Sequence, residues 1–423
     1  MRGGLSAFIA GLGEVESMSL RKPYRSVDEQ LRILRSRGMA VDAGAGHVLR
    51  REGYYPIVNG YKDLFLDRKA CLTAGDDRYG TGARFDDLYA LFLFDRELRE
   101  LLFSAITRAE AALKAVCAHE FTRLHPDEVN PYLNPDYYDS RRRPSAVALI
   151  DKVFKRILEL DGNPRNRGDY GGKAYIRHCM EDHNGQVPLW VLANHLSFGQ
   201  TVWFFQVQSP AVRLAVAESF TGLYADTHDG PRRITIKRLD SIFNRLVFYR
   251  NLCAHDERCY CARYDGRANE NVYQAIGDLG YLLDKDDYLE LFGRFSALIA
   301  RATSAMPSWR QAILSAMGVR ERELADRAEI ILRSRPFLPL GRWRRRRLWT
   351  MSQLIWAVCN RPVGFGMDLG CHWRLGRLYG PRIVLSIVRH GDVLPGECFC
   401  TTHAEHHETT GGIALFRAGR RRR

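Results

Sequence analysis

From Phe85 to Thr122 the chain runs without a proline or a glycine, and this stretch constrains the fold more than any other. Phe85, Leu88, Tyr89, Phe92, Leu98, Leu101, Leu102, Ile106 and Ala109 recur at three- and four-residue steps. That is the period of a helix, not of a strand. The same spacing returns over 146–160, 188–195, 198–205, 211–220, 239–255, 272–283 and 288–302. Alternating strand patterns are rare before residue 340, so the body is expected to be mainly α-helical.

Punctuation agrees with that pattern. Ser26-Val27-Asp28-Glu29 is a capping box, and Gly38 stands where a helix begun there would end. Gly53 to Phe65 is an aromatic stretch with turn signals, beside Arg50 and Arg51, and offers either core or base-stacking rings. His125 to Pro144 is loop-like and carries the run Arg141-Arg142-Arg143, while 161–172 is polar and glycine-rich. No apolar run approaches the ~18 residues needed to cross a bilayer, so no membrane association is expected.

Net charge is +14, but ten of those charges lie beyond Gly341. The tail holds four of the seven Trp, four of the ten Cys, five of the thirteen His, a basic Arg342 to Arg347 cluster and a terminal Arg420 to Arg423 run. Only Arg382 to Val388 looks strand-like there. The expected organisation is a leader over 1–20, a helical body over 21–302, a helical connector over 303–340 and a basic tail over 341–423, disordered or loosely folded. Met18 is a second candidate start.

Ten cysteines in a chain with no export signal imply free thiols in a reducing cytoplasm. No CxxC pair occurs. Cys253, His255, Cys259 and Cys261, or Cys398, Cys400, His403 and either His406 or His407, are the groups with ligand chemistry. The first set is spaced poorly for tetrahedral convergence, so no metal and no cofactor is expected. The chain has no GxxxxGKS, GxSxG or HExxH, which argues against P-loop hydrolysis, α/β-hydrolase chemistry and zincin proteolysis.

The chemistry-bearing segment is Arg250-Asn251-Leu252-Cys253-Ala254-His255, at the end of a helix. Asn251 and His255 share a face, and Arg250 lies one step round. An imidazole, a guanidinium and an amide suit RNA cleavage without a metal. A base takes the 2′-OH proton, the oxygen attacks the adjacent phosphate, and Arg stabilises the developing charge. So short a motif also arises by chance among 54 Arg and 13 His, and Arg177 to His183 is a rival at one residue longer spacing.

From about Lys22 to Ala302 the chain resembles the Abi-like abortive-infection family of bacterial phage-defence proteins. The residues that carry the resemblance are Lys22-Pro23, Asp28-Glu29-Gln30, Gly53-Tyr54-Tyr55, Gly60-Tyr61, Phe94 to Arg99, Ile106 to Ala111, Pro188-Leu189-Trp190, Ser197-Phe198-Gly199 and Arg250 to His255. That family is similar to HEPN-domain helical bundles, in which an Arg-x4–6-His motif marks ribonucleases. The resemblance implies a toxic, metal-independent endoribonuclease, silent until infection, with Arg250, Asn251 and His255 catalytic. Arg245 and Arg258 are expected to contact RNA. It implies a homodimer in which two motifs face each other, and an antitoxin or a phage-derived trigger as further partner. Glu110 resembles an acidic position of related bundles, or is a solvated helix charge. The alternative is a non-catalytic RNA-binding or protein-interaction module on the same fold.

Overall fold

The computed structural model describes residues 24–322, except 164, 166, 167 and 169, together with 324, 371–377 and 383–389. The expected leader and most of the tail lie outside these residues. The contacts divide the chain into two units, Met1–Asn360 and Arg361–Arg423.

Every regular element described in the first unit is a helix. The capping box forms as read: Ser26 N–H donates to Glu29 (2.7 Å), and Glu29 N–H donates to Ser26 Oγ (3.3 Å). It opens α1 (Val27–Ser36). Gly38 follows at φ +93°, a conformation that costs a side-chain-bearing residue strain. α2 (Ala45–Glu52) and α3 (Arg68–Ala74) come next, with a π-helical turn at Tyr55–Asn59 between them. The aromatic stretch is mostly core: Tyr61 and Phe65 are buried, and Tyr55 alone among its rings is largely exposed.

α4 (Phe85–Leu124) is the axis, 40 residues and roughly 60 Å of uninterrupted helix. Its apolar residues cover more than one stripe because partners flank it on several sides. α5 (Arg143–Leu149) continues through a π turn, Ile150–Phe154, into a last turn, Lys155–Ile157. α6 (Ala174–Asp182) and α7 (Leu189–Ala193) precede α8 (Phe198–Val207), which a Ser197/Gln200 capping box starts. α9 (Pro210–Thr227), α10 (Ile236–Ala254), α11 (Val272–Leu279), α12 (Lys285–Ala305) and α13 (Arg310–Met317) follow.

α7, α9, α10 and α12 all pack along α4. Phe198, Phe205 and Phe220 each set an edge or a tilted face against Phe243 of α10, at 5.9–6.3 Å between ring centroids. Such geometry adds about 0.5–1.5 kcal/mol per pair beyond area burial. These rings fix α10, and with it the segment that ends at His255, against the bundle.

The second unit contains an antiparallel hairpin, β1 (Cys371–Arg377) with β2 (Ile383–Arg389), in which Cys371 pairs with Arg389 and Arg377 with Ile383. The strand-like reading of 382–388 matches β2 to within one residue at each end, while β1, in which Cys371, Trp373 and Leu375 alternate with His372, Arg374 and Gly376, is missed by the sequence reading. Among the described residues no helix is long and apolar enough to cross a membrane.

Candidate functional site

α10 ends at His255 in a way that exposes the imidazole. Its backbone N–H donates to Asn251 O (3.0 Å), and Asp256 then turns left-handed at φ +56°. Glu257 N–H returns to Leu252 O (3.0 Å), which makes a Schellman closure with an aspartate where glycine is usual. Asn251 and His255 are exposed and Arg250 is half-buried. The three thus come to one helix end, as the spacing predicts.

What holds that end is a buried polar cluster on α4. The Asp95 carboxylate accepts from the backbone N–H groups of Cys259 (2.9 Å) and Tyr260 (2.7 Å) and from Tyr61 OH (2.7 Å). Arg99, one turn further along, donates to Asp95 (3.0 Å), Tyr61 OH (3.0 Å) and Glu257 O (3.3 Å), and also pairs with the Asp256 carboxylate. Burial pushes the Asp95 carboxyl above its ordinary range, against these donors. Burial, reinforced by Asp95, likewise raises the Tyr61 phenol, which stays a donor. A charge this buried is tolerable only when every lone pair is answered.

Sequence reasoning did not single out Tyr61, Asp95, Arg99 or Asp256 as a site. The available signal was an Asp and an Arg four apart on the apolar side of a long helix. The resemblance already quoted two of the pieces, Gly60-Tyr61 and Phe94 to Arg99, without a reason for them. They converge on the residues that follow His255.

Arg250 differs from the arginines around it. Its Nε is buried without a hydrogen-bond partner, and its guanidinium carbon stands 6.0 Å from the centre of the half-exposed Phe103 ring. None of the ion pairs among the described residues uses Arg250 or His255. Arg245, by contrast, is 4% exposed and committed to Glu270 (2.6 Å), Asp278 and Ser241 (3.3 Å). The expectation that it contacts RNA is corrected. Arg245 lies on the inward side of the helix, where it ties α10 to Asp278 of α11. Arg258 is half-exposed and paired with Asp63 (2.7 Å).

The other sequence candidates disperse. Glu110 pairs with Lys114 (2.8 Å) on its own helix. Arg141 is paired with Asp139 (2.9 Å) and Arg143 with Asp136. The Cys259 thiol is pushed well above its ordinary value by its hydrogen bond with the free thiol of Cys253 and by burial, and burial raises Cys261 as well. Protonated thiols are poor ligands. No group of three or more His, Cys, Asp and Glu converges for a metal among the described residues. Cys398, Cys400, His403 and His406 lie outside them.

A family profile described as Abi-like protein matches residues 47–261, just over half of the chain. The matched span begins in α2 and ends after α10. It therefore includes Tyr61, Asp95, Arg99 and the whole Arg250 to His255 segment. No curated protein and no solved structure matches.

Proposed function

The chain belongs to the Abi-like protein family, a membership that points to abortive-infection phage defence, and from that premise we propose that it is a metal-independent endoribonuclease of the HEPN type. His255 serves as the general acid or base, Arg250 stabilises charge on the phosphoryl oxygens, and Asn251 orients phosphate or imidazole. The observation that carries this reading is the contrast at the end of α10. Arg250 has an uncommitted guanidinium beside an exposed imidazole, whereas the neighbouring Arg99, Arg245 and Arg258 are neutralised by carboxylates. A cation held without a counter-ion is poised for an anionic ligand. A second copy of the chain would bring a second such motif to the reacting phosphate.

The test is RNA cleavage by the purified protein in EDTA, wild type beside His255→Ala, with product ends identified. Cleavage that leaves 2′,3′-cyclic phosphate and disappears in the variant supports the reading. Cleavage that survives in His255→Ala overturns the site. RNA binding that persists in His255→Ala and Arg250→Ala, with no cleavage by any form, favours a binding module.

A further inference from the structure

His183, the histidine of the rival Arg177 to His183 spacing, is engaged elsewhere. At the C-terminal end of α6 its Nε2 lies 3.1 Å from Nε2 of His178, with the two rings at 89°. On the far side of His178, Nδ1 meets the Asp182 carboxylate at 2.7 Å. All three side chains reach solvent. We propose that His178 and His183 form a site for a divalent transition metal of the zinc type, with Asp182 as the residue that orients His178.

Three features support it. A carboxylate can only accept, so the Asp182 contact calls for the proton on Nδ1, and in the neutral imidazole that leaves Nε2 of His178 with a bare lone pair, the arrangement that accompanies histidine ligation of metals. Two nitrogens 3.1 Å apart, each about 2.05 Å from a metal, subtend about 98° at it, close to what tetrahedral or octahedral coordination asks of neighbouring ligands. The remaining positions are left to water. Finally, the site stands at a helix C-terminus, where the negative end of the backbone dipole favours a cation.

The frame is built independently of the ring contact. His183 N–H donates to Cys179 O (3.2 Å), which ends α6. Asn184 and Gly185 then both turn left-handed, at φ +52° and +73°. Asn130 Nδ2 pins Gly185 O (2.8 Å), and its Oδ1 accepts from Val187 N–H (2.9 Å). His183 is thereby carried back over the last turn of α6 by its backbone. A hydrogen bond between two solvated neutral imidazoles gives little net stability over their bonds to water, so it does not account for the convergence by itself.

The experiment is calorimetric titration of the full chain with Zn²⁺ at pH 7.5 under a non-chelating reductant, beside His178→Ala/His183→Ala and Asp182→Asn. These are surface positions, and thermal melts check that each variant is folded. The double variant is expected to lose one equivalent of Zn²⁺ relative to wild type, whatever other equivalents the chain binds. Asp182→Asn is expected to keep the stoichiometry and weaken that equivalent by about 10–100-fold. Co²⁺ should give visible d–d absorption, of which the double variant lacks the share of one equivalent. Equal zinc stoichiometry in wild type and double variant, both folded, overturns the proposal, as does a wild type that takes up no zinc.

Discussion

Arg99, buried in the first half of α4, pairs with the carboxylate of Asp256, the residue that follows His255 in the chain. The same guanidinium is bonded to Asp95 and Tyr61, so the end of α10 is fastened to a fully buried carboxylate of the bundle. The candidate site is therefore held in place by residues that need not touch its ligand.

Removing a buried member of that cluster, Asp95 or Arg99, leaves the others buried and unanswered. Arg99→Met is expected to destabilise the fold by about 3–5 kcal/mol, read from urea denaturation. Asp256→Gly separates fastening from folding. Glycine relieves the left-handed backbone, which offsets the lost ion pair, so stability should stay within about 1 kcal/mol of wild type. Cleavage should nevertheless fall, since His255 loses its tether. An Asp256→Gly protein that cleaves as well as wild type would show that the tether is not needed.

Arg250 and Arg245 stand on one helix and should behave in opposite ways. Arg250→Ala is expected to leave the melting temperature nearly unchanged and to reduce cleavage by about 10²–10³-fold, the scale of one lost charge-stabilising donor. Arg245→Ala strands Asp278 and Glu270 and should cost about 3–5 kcal/mol of stability. Thermal melts and cleavage rates on both variants check the assignment.

Phe103 presents its ring beside Arg250 with 37% of its surface exposed. A base stacked there would gain about 1–3 kcal/mol. Phe103→Ala should therefore weaken RNA affinity by roughly ten-fold or more while sparing the fold. Fluorescence anisotropy with a labelled single strand, using catalytically silent His255→Ala as the background, measures it.

The Glu52–Arg96 pair (2.8 Å) joins α2 to α4. The Arg96 hydrogen bond holds the Glu52 carboxyl below its ordinary value of 4.5. A lowered carboxyl stabilises the fold above its unfolded-state value, and that contribution fades as pH falls through the folded one. Glu52→Gln should thus lower the melting temperature at pH 7, and the gap to wild type should close as pH falls below about 4.5. A gap independent of pH would assign the effect to packing.

Helical periodicity made the architecture legible where helices were long. α4, α9, α10 and α12 were all anticipated, and the capping box located α1 to the residue. Short helices were read unevenly: α7 and α11 were anticipated, whereas α2, with its Gly46, and α3, with its Thr73, lack a sustained apolar stripe and are held by what they pack against. The site divides in the same manner. Arg250, Asn251 and His255 are neighbours in sequence, so their proximity needed only a helix. Asp95 and Tyr260 are brought together by tertiary packing across 165 positions, and no local pattern encodes that. Arg245 was misread because a guanidinium in sequence does not reveal whether it faces water or an aspartate.

The left-handed closure after α10 has a bearing on restraint. A toxic nuclease must be kept idle in a healthy cell, and one route is to let its catalytic groups drift apart until a signal gathers them. Here the chain just after His255 is bolted to the interior, the Glu257 carbonyl on Arg99 and the Cys259 and Tyr260 N–H groups on Asp95, so drifting apart would require the core itself to loosen. If the chain is the nuclease proposed above, its safety catch belongs outside the pocket, in what reaches the site or in which second copy stands opposite it.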